Sequence, residues 1–231
     1  MNRMSHDIRT PMNSIIGFSG LLENNLQNED KARDYVKKIQ SSSALMMTII
    51  NQVLEMARIE SGTATLRLKA EDLSAIFHDV SSVFESDIRK KNLQYSIDAN
   101  VCHKYAICDK TKLQEIYLNI VGNAVKYTPS GKSIHVIVKE IASDDKMAQY
   151  CFICEDTGIG MSEEYLPHIF EEFSREHTST ENKVVGTGLG LPIVKSLIEL
   201  MGGNIKAESS QEVGTKFTVT ISLETVSKED V

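Results

Sequence analysis

Tryptophan is absent from the 231 residues, and aromatic side chains make up only 6% of them. Proline and cysteine are scarce too, with four residues of each. Four thiols in a chain of this length do not form a disulfide framework. No apolar run approaches the roughly 18–20 residues that a membrane span needs. The opening Met1-Asn2-Arg3-Met4 lacks the apolar core of a signal peptide. Positive charge is in the minority, 25 Lys and Arg against 32 acids, for a net charge of -7. That balance argues against a surface built to neutralise nucleic-acid phosphates or to grip an anionic membrane. The expectation is a piece that lies in or faces the cytoplasm, with neither nucleic acid nor membrane as its partner.

What remains is ordinary for a globular protein, 41% hydrophobic and 25% charged, and long enough for one large domain or two of average size. Cys151 and Cys154 form a CxxC, a spacing that also serves zinc and redox sites. Their surroundings, Gln149 to Asp156, read as a strand, however. Residues three apart on a strand point to opposite faces, so the simpler expectation is a pair of buried thiols.

Two regions differ in pattern. Across residues 1–62, apolar or small side chains recur in steps of three and four: Ile8, Met12, Ile15, Ser19, Leu22, Leu26, then Tyr35, Ile39, Ser42, Met46, Ile49, Val53, Met56. This heptad-like stripe predicts two helices, interrupted by Gln27-Asn28-Glu29-Asp30 and ended at Gly62. A lone hairpin leaves much of such a stripe in water. Pairing two hairpins into a four-helix bundle covers it, and packing on the rest of the same chain is the alternative. From residue 63 strands and helices mix. Strands are expected at 65–69, 93–97, 133–141, 149–156, 204–209 and 215–223, and helices at 73–90, 110–125 and 189–201. Without strict βαβ alternation this predicts an α+β two-layer sandwich over residues 63–226.

Three stretches of the second region carry chemistry. Asp156-Thr157-Gly158-Ile159-Gly160 leaves a strand with a carboxylate and two glycines. Gly186-Thr187-Gly188-Leu189-Gly190-Leu191 enters a helix, where bare backbone N–H groups and the helix N-terminus suit phosphate. Asn119, Asn123 and Lys126 stand four and three apart on one helix face. Two carboxamides and an ammonium there can meet Mg²⁺ and polyphosphate oxygens. No Walker-type loop and no strand–GxGxxG–helix unit is present, so nucleotide binding would need another architecture.

Taken in order, the asparagine helix, Asp156 to Gly160, Ile169-Phe170-Glu171-Glu172-Phe173, Gly186 to Leu191 and Gly214-Thr215 resemble the ATP-binding boxes of sensor histidine kinases. These share a Bergerat-type ATP fold with gyrase and MutL. Ser5-His6-Asp7-Ile8-Arg9-Thr10-Pro11 resembles the phosphoacceptor box of the same family, and residues 54–62 its usual interdomain junction. The resemblance covers nearly the whole chain. It implies a dimerisation and phosphoacceptor domain at 1–62, an ATP-binding domain at 63–226, a homodimer, and a response-regulator receiver domain as partner. A cytoplasmic fragment of a longer, membrane-bound or hybrid parent fits the same resemblance.

The resemblance also implies roles. His6 accepts the γ-phosphoryl group of ATP, and Asp7 orients it or takes its proton. Thr10 positions a water that dephosphorylates the receiver. Asp156 accepts from the adenine amino group, and Asn123 holds Mg²⁺. Asn119, Lys126 and Tyr127 surround the phosphates, while Gly158, Gly160, Thr187, Leu189 and Thr215 complete the nucleotide contacts. Gly186, Gly188 and Gly190 let a lid over about 174–187 close, with Arg175 and Lys183 reaching the γ-phosphate. Gyrase-like relatives usually carry a water-activating glutamate where this chain has Asn119. An amide cannot act as a general base, so the residue favours transfer to protein over ATP hydrolysis. The competing expectations are an ATP-gated dimeric scaffold without kinase activity and an ATPase of the same fold.

Overall fold

The computed structural model describes residues 2–144, 146–176 and 187–230. They fall into two compact units, one of residues 2–64 with 187–189, the other of 65–176 and 190–230.

The first unit is an antiparallel pair of helices, α1 (Asn2–Glu23) and α2 (Glu29–Glu60). Asn28 starts α2: its side-chain oxygen accepts from the Lys31 amide, and Glu29 and Asp30 place negative charge at the positive helix end. Gly62 follows the helix at a φ of 68°, and the amides of Thr63 and Ala64 both return to the Arg58 carbonyl. Within α1, Pro11 offers no N–H to the Asp7 carbonyl one turn earlier.

The stripe read from the sequence faces inward within the hairpin on α2, where Ile49 is buried and Tyr35, Ile39, Met46, Val53 and Met56 are half-buried. A second apolar stripe, not foreseen, lies outside it. Val36, Met47, Ile50 and Leu54 are 36–53% exposed, at spacings of three and four over the last three.

The second unit is the expected α+β sandwich. Its strands are β1 (Lys69–Asp72), β2 (Gln94–Asn100), β3 (Tyr105–Cys108), β4 (Ser133–Ser143), β5 (Met147–Asp156), β6 (Asn204–Ser210) and β7 (Gly214–Thr225). They form one sheet in the order β1-β3-β7-β5-β4-β2, with β6 added to β7. Only β2 and β4 run parallel. The helices α3 (Leu73–Lys90), α4 (Lys110–Tyr127) and α5 (Gly190–Leu200) pack side by side, α4 between the others and against β5. The core is aliphatic, with Ile76, Leu113, Ile116, Ile120, Ile134 and Leu197 among its fully buried side chains. Phe77, Tyr117 and Phe152 join in one aromatic cluster, with ring centroids 4.5–6.0 Å apart.

Two strand assignments need correction. Residues 65–68 join no ladder, because the Arg67 amide donates to the Asp109 carboxylate at 2.8 Å; β1 starts only at Lys69. Tyr105–Cys108 forms a strand that the sequence reading passed over. The two CxxC thiols lie buried on β5, Cys154 in the row that faces the helices and Cys151 on the other side. Burial pushes the Cys154 thiol well up, as befits a packed, unreactive group.

Candidate nucleotide site and phosphoacceptor

The inward row of β5 reads Ala148, Tyr150, Phe152, Cys154, Asp156, so strand alternation carries a carboxylate into the end of the core. Asp156 pairs in register with Ile134 of β4 and Thr215 of β7, and only 8% of it is exposed. Its Oδ1 accepts the Gly158 amide at 2.8 Å. Burial pushes this carboxyl up from 3.8 to about 6, against the lowering effect of hydrogen bonds from the Gly158 and Thr215 amides. A buried carboxyl whose charge is disfavoured needs a reason, and a ligand donor is the economical one.

Glycine is required beside it. A Cβ on Gly158 would lie 2.5 Å from Asp156 Oδ1 and 2.8 Å from the Tyr127 carbonyl. Gly160 sits at a φ of 64°, where any Cβ would overlap the Ser210 carbonyl. The loop is pinned further by Ile159 N–H to the Tyr127 carbonyl and by Glu212 N–H to the Ile159 carbonyl. Ser209 adds a contact with no signal in the sequence. Its hydroxyl accepts the Met161 amide, donates to the Gly214 carbonyl and meets the Thr215 hydroxyl, each at 2.9 Å.

The opposite wall is α4. Asn119, Asn123 and Lys126 are all half-buried on it. The Asn119 amide group donates to the Glu115 carbonyl at 2.8 Å, which turns its oxygen toward the start of α5. A Cβ on Gly190 would stand 2.6 Å from that oxygen. Lys126 Nζ lies 4.9 Å from the centre of the Tyr127 ring. Burial lowers the Lys126 pKa, and the nearby positive charge of Arg175 lowers it further. The same Arg175 charge reaches Tyr127 and Tyr165, so this arginine lies within electrostatic range of the end of α4. Two cations set against each other at one end of a helix form a field suited to a polyanion.

Thr187, Gly188 and Leu189 lead into α5, with the Thr187 hydroxyl accepting the Leu189 amide at 3.3 Å and Gly188 at a φ of 71°. Lys183, Gly186 and most of the expected lid lie outside the described residues. Phe170 and Phe173 beside it are half-buried.

On the hairpin, the His6 side chain is 77% exposed, and its Nδ1 lies 3.7 Å from Asp7 Oδ1. That separation is an ion-pair contact, too long for a hydrogen bond. Thr10 donates its hydroxyl to the His6 carbonyl at 3.0 Å, leaving its oxygen free to accept. His103, His135 and His168 each contact a carboxylate, Glu140, Asp98 and Glu171, as structural pairs.

Comparison with known proteins places these pieces. Residues 1–62 match the model of the His Kinase A (phospho-acceptor) domain, and 108–225 match that of the histidine kinase-, DNA gyrase B-, and HSP90-like ATPase. The chain is 31% identical, over 99% of its length, to the autoinducer 2 sensor kinase/phosphatase LuxQ of Vibrio cholerae, and covers 26% of that protein. It is 36% identical, over 94% of its length, to hybrid signal transduction histidine kinase A of Dictyostelium discoideum, and covers 10% of it. The full-length ShkA structure solved in complex with AMPPNP superposes with a TM-score of 0.70 at 26% identity, over 96% of this chain and 45% of that one. The chain thus spans about a quarter and a tenth of the two curated relatives just named, and it belongs to the histidine kinase-, DNA gyrase B- and HSP90-like ATPase family, among the sensor histidine kinases.

Proposed function

We propose that this chain is the catalytic core of an ATP-dependent protein-histidine kinase, phosphorylating His6 and passing the group to an aspartate of a response-regulator receiver. The observation that carries the reading is the division of labour around Asp156. Asp156 supplies a buried acceptor, and Lys126 and Arg175 gather positive charge at the last turn of α4. An adenine amino group suits the first and phosphates suit the second. Similarity to a protein solved with AMPPNP supports this.

In the transfer, a lone pair of the His6 ring attacks the γ-phosphorus, and the bond to the bridging oxygen breaks, so that ADP leaves with those electrons. The Asp7 carboxylate stands nearer Nδ1, which leaves Nε2 as the attacking atom. It also stabilises the positive charge that develops on the ring. Asn123 offers a hard oxygen donor on the phosphate side, which suits Mg²⁺, a metal commonly bound by one or two protein oxygens together with phosphates. Mg²⁺ there would neutralise charge on the phosphate oxygens. Asn119 has its amide committed to the helix backbone, so no side chain of its kind activates water. Incubation with γ-labelled ATP and site mapping tests the reading. Label on His6 supports it, release of free phosphate alone indicates an ATPase, and nucleotide binding without either indicates a scaffold.

We also propose a homodimer through the outer stripe of α2, since Val36, Met47, Ile50 and Leu54 leave a heptad-like apolar face in water. Ile50→Asp together with Leu54→Asp should convert the chain to a monomer in sedimentation. A wild-type chain that is already monomeric at high concentration contradicts the stripe's role.

Thr10 belongs to the reverse reaction. Its hydroxyl oxygen lies one turn beyond His6 and can accept from a water aimed at a receiver phosphate. LuxQ is described as a kinase/phosphatase, which accords with this. Thr10→Ala should leave His6 labelling within about twofold of wild type while slowing receiver dephosphorylation about tenfold or more. Loss of labelling with unchanged dephosphorylation would move Thr10 to the forward step.

A further inference from the structure

The last carbonyls of α4 have no partners within the helix, as at any helix end. Three of them meet one side chain from another helix. Lys91, directly after α3, donates its ammonium to the carbonyls of Val125 at 2.7 Å, Lys126 at 2.9 Å and Thr128 at 3.1 Å. The remaining carbonyl in this run, that of Tyr127, accepts the Ile159 amide from the Asp156–Gly160 loop. The Lys91 backbone adds a fourth tie, its carbonyl accepting the Gly131 amide in the loop after α4.

We infer that Lys91 is a positioning residue of the nucleotide site, acting through the end of α4. The inference rests on the nucleotide-binding reading above. Lysine suits the task chemically. Its three N–H groups leave one atom and rotate freely, so one ammonium can serve three converging carbonyls, where a planar guanidinium cannot. Its charge also complements the negative end of the helix dipole. Side chains on both sides of the site depend on this clamp. Lys126 and Tyr127 occupy the clamped turn, and the Tyr127 carbonyl sets the height of the loop that carries Gly158 against Asp156. Without the ammonium the turn frays, and the phosphate-side cation and the adenine-side loop lose their common frame. No group of Lys91 needs to touch the ligand.

The test uses the full chain and a fluorescent ATP analogue, at a temperature well below unfolding. Lys91→Met keeps the length and apolar stem but removes all three donors. It should weaken binding about tenfold and raise the KM for ATP by a similar factor, with kcat at saturation within about twofold of wild type. Asp72→Ala is the control for lost stability. It removes the side-chain cap of α3, which accepts the Ser74 and Ala75 amides, away from the site. It should lower the melting temperature yet bind the analogue normally. If Lys91→Met does not fold, Lys91→Arg is measured instead, with an expected threefold loss of affinity. Wild-type affinity in the Lys91 variants, or an equal loss in Asp72→Ala, overturns the inference. A wild-type chain that binds no analogue overturns the nucleotide reading itself, and the inference with it.

Discussion

Asp156→Asn is expected to abolish most nucleotide affinity while making the protein more stable. The two effects share one cause. In the wild type the folded state holds a carboxyl whose pKa lies near 6 because burial disfavours its charge. The unfolded chain ionises it at about 3.8. A folded pKa above the unfolded one gives stability that is complete below pH 3.8 and is lost as the pH rises through 6. At pH 8 the wild type therefore carries a cost of about 2–3 kcal/mol, two pKa units at 1.36 kcal/mol each. Asparagine has the same shape and no charge, so the variant should melt about 4–12 °C higher at pH 8 and lose that advantage near pH 4. Binding moves the other way. A charge-assisted hydrogen bond to a donor contributes about 1.5–3 kcal/mol, so its loss should weaken ATP about 10- to 100-fold. Wild-type affinity should itself fall as the pH drops through about 6, and the Asn variant should not show that dependence. Asn123→Ala is the internal contrast, since excess Mg²⁺ should restore part of its affinity and none of that lost by Asp156→Asn. A variant that melts lower at pH 8, or equal rescue of both, contradicts this division of roles.

His6→Gln should remove labelling altogether while leaving nucleotide affinity unchanged. Glutamine keeps a polar side chain at an exposed helix position but has no nucleophilic ring nitrogen. Wild-type label should be lost in acid and survive alkali, as a phosphoramidate does and a serine ester does not. Label at the wild-type level in the variant would place the acceptor elsewhere.

Much of this was legible beforehand because the relevant signals are local. Alternation along β4, β5 and β7 identifies both the strands and the inward direction of Asp156. The spacing of Asn119, Asn123 and Lys126 identifies their shared helix face. Where partners decide, the sequence is mute. Tyr105–Cys108 has only four residues and is a strand because β1 and β7 flank it. Leu66 and Leu68 alternate like strand residues, yet the Asp109 side chain captures the backbone between them. The hairpin carries two apolar stripes, and periodicity alone does not say which one its own partner helix covers. Ser209 and Lys91 act through hydrogen bonds to distant backbone, which leave no pattern in the chain.

The turn between β6 and β7 is constrained in length and free in content. A Cβ on Gly160 would overlap the Ser210 carbonyl and one on Gly214 the Asp156 carbonyl, so both ends of the turn approach the loop that leaves β5 too closely for a side chain. Between them the Glu212 amide holds Ile159 at 2.7 Å, yet the Val213 side chain is 70% exposed. Polar residues should replace Val213 without penalty, whereas one inserted or deleted residue there would slide Thr215 past Asp156 and take the proposed adenine acceptor out of register. Among descendants of this sequence, drift at the turn should appear as substitution and not as change in length.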